Sequence, residues 1–233
     1  MVVADPAAEL VALVRRQGDP ARAVAAEADL RSATLIRRRF GLSLPPPFAG
    51  TPSEEEPVRV AVAVDGAAVA SVKWRAFGTS YRGVLPDAFL DEREVVPPVS
   101  FWTGRAMVPP SRRHRLLVWG RPGTVLGYAD CGPVHLDDAD PDHPDAGEVY
   151  ELYVDPSVQG RGGGGQLLDA AEAWLADAGH RRVELSALAG NDRARRFYEQ
   201  RGWAPTGRVT HVSLAAVAFD EVRYARGAGA GRS

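Results

Sequence analysis

Between residues 58 and 226, apolar and polar positions repeat with two periods, and the switches between them mark the elements. Val58, Val60, Val62 and Val64 alternate with Arg59, Ala61, Ala63 and Asp65, the period of a half-buried strand. Asp65-Gly66 offers a cap for a helix from about Ala67 to Ser80. Arg82–Pro86 turns the chain into a short helix, Asp87–Arg93. Strands Arg115–Trp119 and Thr124–Val134 flank Gly120–Gly123, which is hairpin chemistry. After a loop, Glu148–Val154 reads as a strand, Pro156–Gly165 as a glycine loop and Gln166–Ala178 as an amphipathic helix. That helix puts Leu167, Leu168, Ala171, Trp174, Leu175 and Ala178 on one face. Strand Val183–Leu188, helix Asn191–Arg201 and a hairpin of Val209–Leu214 with Val217–Tyr224 complete the pattern. The order βααββ–βαβα–ββ predicts an α/β (α+β) layering around a mixed sheet.

Upstream the pattern differs. Pro6 suits a first helical turn, and Leu10, Val11 and Val14 repeat at helical spacing up to Gln17-Gly18. Asp19-Pro20 then opens a second helix, from Ala21 to about Phe40, with Gly41 as its stop. Residues 43–57 hold five prolines and three consecutive glutamates, which suits a linker and no sheet interior. The expected organisation is a helical extension (1–42), a linker (43–57), a domain (58–226) and a small flexible tail (227–233). The extension is expected to pack on the domain or pair two copies as a homodimer. DNA binding is disfavoured, because a reading helix needs a third helical support.

Charge narrows the function. The formal net charge of −2 argues against a coat for nucleic acid or anionic membrane. Lys73 is the one lysine, so an Arg run such as Arg37-Arg38-Arg39 carries little information about phosphate. Cys131 cannot form an intrachain disulfide, and its apolar surroundings suit a buried strand thiol better than a nucleophile. No apolar run approaches the roughly 20 residues of a membrane span. The N-terminus lacks a basic and then apolar leader, so a cytoplasmic protein is expected. His135 and His143 sit in a Pro/Asp-rich loop without a third fixed ligand, so no metal is expected.

The informative chemistry lies in Gln159-Gly160-Arg161-Gly162-Gly163-Gly164-Gly165, between a strand and a helix. Glycines let N–H groups converge on one point without Cβ interference. At a helix N-terminus those amides lack intrahelical partners and the dipole end is positive, which makes a pyrophosphate site. A P-loop would need a lysine that the segment lacks. The run also matches the dinucleotide pattern GxGxxG, but it comes late in the chain rather than after the first strand.

Two segments carry a family resemblance. Leu152-Tyr153-Val154-Asp155-Pro156, followed by Gln159 and Gly160-Arg161-Gly162-Gly163-Gly164, resembles the acyl-CoA motif of the GNAT acyltransferases. The stretch from Asn191 through Phe197-Tyr198-Glu199 to Gly202-Trp203 resembles the family's next motif, in the right order and spacing. Weaker similarity lies between Trp74 and Leu90, around Tyr81-Arg82-Gly83-Val84-Leu85-Pro86. The resemblance covers about residues 58–226. It implies a mostly antiparallel mixed sheet with helices on both faces, acetyl-CoA as cosubstrate and transfer of acetyl to a primary amine of a small molecule or of a protein or peptide. By position, Leu152, Tyr153 and Val154 would pair with the pantetheine arm. The amides from Gln159 to Gly165 (Gly160, Arg161, Gly162, Gly163 and Gly164 between) would receive the pyrophosphate. Tyr198 would protonate the departing thiolate, and Asn191 would orient coenzyme A or cap its helix.

The resemblance also places Glu148 where several members carry a catalytic glutamate. Glu151, at odd spacing, is expected on the other side of the strand. Gly163 departs from the family, which places Ile, Leu or Val there, so a looser pyrophosphate clamp is expected. That departure leaves a second reading open, a non-catalytic acyl-CoA sensor whose extension docks a partner or DNA. Eight acids and no Lys or Arg lie between Asp130 and Glu151, a solvated loop or a field for a cationic acceptor.

Overall fold

The computed structural model describes residues 58–91, 99–135, 139–214 and 217–227. The expected extension, linker and most of the tail lie outside them. Seven strands form one sheet in the order β1-β2-β3-β4-β5-β7-β6: β1 Val58–Val60, β2 Arg115–Arg121, β3 Thr124–Pro133, β4 Gly147–Val154, β5 Arg182–Leu188, β6 Ala204–Leu214 and β7 Val217–Gly227. Every neighbouring pair is antiparallel except β4–β5. The helices are α1 Gly66–Ser80, α2 Asp87–Asp91, α3 Val99–Met107, α4 Gly163–Asp177 and α5 Asp192–Gln200.

The two faces of the sheet bury separate cores. On one, Leu167, Leu168, Ala171 and Leu175 of α4 meet Trp119, Leu126, Ala129, Cys131 and Val149, the stripe the 3.6-residue period foretells. On the other, Val69 and Val72 of α1 and Trp102 of α3 cover Val118, Val125 and Tyr128. Cys131 is fully buried, and burial, ahead of the neighbouring Asp130 carboxylate, pushes its thiol well above the ordinary value. It is a core residue of β3.

Three local expectations change. The alternation from Val58 ends after Val60, because Ala63–Asp65 forms a 3-10 turn that feeds directly into α1. Asp65 sits at the N-cap position, yet its carboxylate does not bond the helix. Instead it accepts from Val62 N–H, Gly123 N–H and the Arg59 guanidinium, so it ties β1 to the β2–β3 hairpin. Helix α3 is absent from the periodicity reading. Prolines bracket it on both sides and suggest loop, but Trp102 inserts edge-on against Tyr128, 5.0 Å between centroids, and Arg105 pairs with buried Asp130.

Candidate active site

The parallel pair β4–β5 shares only three register positions, Gly147↔Val183, Glu148↔Glu184 and Val149↔Leu185. A bulge explains where pairing stops. On β3, Asp130 opposes Glu151 and Cys131 opposes Val149, so Tyr150 is an extra residue that bends β4. Past it, Leu152–Val154 stay paired to β3 but have no β5 partner. A cavity of about 550 Å³ occupies the resulting gap, lined by Leu152–Val154 on one side and Ser186–Leu188 on the other. The cavity runs on to Gln159, Gly160 and Gly162–Gly165 of the glycine loop, and to Asn191 and Tyr198 of the next motif.

Strong local bonds fix the loop at its entry. Asp155, 1% exposed, accepts from Ser157 and from the Arg75 guanidinium on α1. Burial alone would raise this carboxyl, but the hydrogen bonds from Ser157 and Arg75 outweigh it and hold it below its ordinary value. The Gln159 carboxamide donates to Val154 C=O at 3.1 Å, folding the loop back on the strand end. Gly160 and Gly162 then take left-handed φ of 80° and 84°, which a side chain would resist.

Helix α4 starts earlier than its apolar stripe suggests, at Gly163 rather than Gln166. Its first main-chain bond runs from Gln166 N–H to Gly162 C=O at 3.1 Å. The amides of Gly163, Gly164 and Gly165 therefore precede the bonded ladder, at the positive end of the helix and on the cavity wall. Arg161 is exposed and does not line the cavity. Gly163 packs directly against buried Trp119, which fills the space a family-type aliphatic side chain would take. The looser clamp expected from Gly163 overlooks this ring.

Within the run, Gly164 alone combines a helical backbone with room for a methyl group. A Cβ there would lie 3.6 Å from Val154 and 3.8 Å from Phe197, ordinary contact distances. Gly164→Ala should therefore stabilise the protein by about 0.5–1 kcal/mol, a rise of roughly 2–4 °C in Tm for a chain of this size. A thermal melt checks it, and a fall in Tm would show that the space is not there.

Tyr198 is 8% exposed and lines the cavity, and its hydroxyl has no hydrogen-bond partner among the described residues. Burial, then the neighbouring Tyr81, raises its pKa far above the ordinary value, so it keeps its proton. Of the two roles expected of Asn191, the structure shows the cap. Its side-chain oxygen accepts from Ala194 N–H at 3.1 Å, capping α5, and it also lines the cavity. Tyr81, whose hydroxyl lies 3.2 Å from that of Tyr153, joins the cavity although no role was read for it in the sequence. The Tyr-Arg-Gly segment around it was the available signal.

The two glutamates need a correction. Alternation puts Glu148 and Glu151 on opposite faces, but the bulge at Tyr150 restores the phase. Glu151 opposes Asp130 and Glu148 opposes Gly132, two positions that share one face of β3. Both carboxylates consequently lie on the α1 side. Glu148, 6% exposed, sits at the fork of the strands and pairs through Oε1 with Arg223, which also holds Glu184 at 2.9 Å. Glu148 Oε2 is buried without a hydrogen-bond partner among the described residues. Glu151, a quarter exposed, is held by Lys73 and by the Tyr128 hydroxyl. The acidic stretch is thus partly neutralised, since Arg105, Arg223 and Lys73 answer Asp130, Glu148 and Glu151. Asp142 and Asp145 are exposed; Asp137 and Asp138 lie outside the described residues. No group of three or more metal-ligating side chains occurs among the described residues.

Comparison with known proteins now decides the family. The model of the acetyltransferase (GNAT) family matches residues 74–203, more than half of the chain and the whole of the cavity-lining segment. The chain belongs to the GNAT family. Among curated relatives, mycothiol acetyltransferase of Beutenbergia cavernae is 50% identical over 64 residues, 27% of this chain and 22% of the relative. The Mycobacterium leprae enzyme of the same name is 35% identical over 102 residues, 42% of this chain and 31% of the relative. The matched segments span less than a third of these relatives' length. Among solved structures, the PaiA N-acetyltransferase of Thermoplasma acidophilum in complex with coenzyme A superposes with a TM-score of 0.55 at 15% identity, over 73% of this chain and 98% of that one. YncA of Salmonella typhimurium, solved with acetyl-CoA, gives 0.52 at 19% identity, over 76% and 96%. These likenesses confirm the GNAT fold, including the mixed sheet and the helices on both of its faces. Of the described helices, none is long and apolar enough to cross a membrane.

Proposed function

We propose that the protein is an acetyl-CoA-dependent N-acetyltransferase that passes acetyl directly to a primary amine. The observation that carries this reading is the parted strand pair, whose unpaired β4 edge leads to three amides at the positive end of α4. An extended arm with amide groups suits the edge at Leu152–Val154, as an added strand would. A diphosphate suits the amides from Gln159 to Gly165. Bound acetyl-CoA supplies a thioester whose C–S bond breaks as the amine nitrogen forms its new C–N bond. The chain's own residues then hold and move protons. Tyr198, protonated throughout the neutral range, donates to the departing sulfur. Glu148 lies at the fork, behind the residues that line the cavity, and its buried Oε2, without a hydrogen-bond partner among the described residues, would take the ammonium proton through a water.

The relatives named mycothiol acetyltransferases support a small-molecule acceptor over a protein one. Coenzyme A titrated by calorimetry, followed by thiol release from acetyl-CoA with a panel of small amines, tests the reading. Micromolar binding and amine-dependent release are expected. A folded protein that ignores millimolar acetyl-CoA would refute it.

A further inference from the structure

The proposed reaction does not explain why an indole from β2 stands against the first turn of α4. Gly163 begins that helix, and a Cβ built on it would come within 2.3 Å of Trp119 Cε3 and 2.4 Å of Cζ3. No side chain fits there while the ring is in place. Trp119 is 2% exposed and belongs to the core beneath α4, together with Leu126 and Leu167. It also lies at the register shift of the β2–β3 hairpin, between Trp119 and Gly120, which re-aims the strand locally.

A run of glycines has no side chains with which to anchor itself. Gly160 and Gly162 are left-handed, and each glycine carries an entropy cost on ordering that a substituted residue would not. The amides of Gly163–Gly165 nevertheless need fixed directions to act as a cradle, because ordering them at the moment of binding would subtract from affinity. A rigid surface behind the backbone can supply that order from outside the loop, and the three atoms nearest a Cβ at Gly163 all belong to the Trp119 ring.

We infer that Trp119 is the positioning residue of the diphosphate cradle: ring and glycine form a complementary pair that fixes where the three amides point. This rests on the acetyl-CoA reading above for its ligand, but not for its geometry. The pair makes two demands. A side chain at 163 must displace the ring, and a smaller residue at 119 must leave the glycine turn without its support. Combined, a side chain on the helix can refill the space the ring leaves.

The test is a double-mutant cycle on the full chain with Trp119→Val, Gly163→Leu and the two together, with Trp119→Phe as a milder variant that keeps a ring. In the ligand-free protein, hydrogen exchange of the Gln166 amide, whose bond to Gly162 C=O closes the first turn, should quicken about tenfold in Trp119→Val and much less in Trp119→Phe. Coenzyme A affinity by calorimetry should fall about tenfold or more in each single variant, the scale of a cavity or an overpacked site. The double variant should recover to within about threefold of wild type, a coupling that independent sites do not show. Unchanged amide exchange in a folded Trp119→Val protein overturns the inference, as does a double variant whose loss equals the product of the two single losses. Wild-type protein that fails to bind coenzyme A would sink the functional reading instead, while the exchange rates still report on the pair.

Discussion

Tyr198→Phe should lower kcat by about a hundredfold or more and leave the KM for acetyl-CoA within about threefold. Phenylalanine fills the same space beside Phe197, Trp203 and Tyr224, so packing is kept and only the hydroxyl is lost. That hydroxyl makes no hydrogen bond among the described residues, so its removal orphans no partner. Burial holds its pKa high, which keeps the donor form fully populated at neutral pH. The kcat effect would therefore report proton transfer to the leaving sulfur, not instability. Steady-state thiol release measures it, and an unchanged kcat would assign Tyr198 to the core alone.

The largest stability effect is expected at Arg223. Arg223→Met strips the shared partner from Glu148 and Glu184, both buried, and should cost about 3–5 kcal/mol, or roughly 10 °C or more in Tm. Its dependence on pH has a definite sign. Burial by itself would raise Glu184, but Arg182 and Arg223 outweigh it and set the folded pKa below the ordinary value. A carboxyl with a depressed folded pKa stabilises above its unfolded value, about 4.3, and that contribution is lost as the pH falls through the folded value. Without Arg223 much of this contribution is gone at every pH. The gap between wild type and variant should therefore be widest near neutrality and narrow below about pH 4. Melts across that range check it; a gap that stays constant would mean that Arg223 contributes packing and no charge.

Much of the fold was legible because its signals are local. The stripe Leu167, Leu168, Ala171, Leu175 needs only a helical period, and the hairpins need only their turns and alternation. That the glycine run and the Asn191–Tyr198 helix belong together, as they do in lining one cavity, was legible because the order of two motifs carries more information than either one. What stayed hidden depends on residues distant in sequence. The bulge at Tyr150 exists only in the pairing of β4 with β3, so alternation misassigned the face of Glu151. Helix α3 is held by Trp102 and Arg105 reaching Tyr128 and Asp130, contacts that no window around its bracketing prolines contains. Gly163 looked like a deficit because its partner Trp119 lies 44 positions earlier in the chain.

Three shared rungs between β4 and β5 have a cost and a use at once. Every further rung would add hydrogen bonds and zip the seam between the two half-sheets. A variant lacking the extra residue at 150 would be free to do so, and it would gain robustness while closing the cleft. Selection for thermal resistance alone would push this scaffold toward a sealed sheet, so the gap persists only where its emptiness is worth more than the bonds forgone.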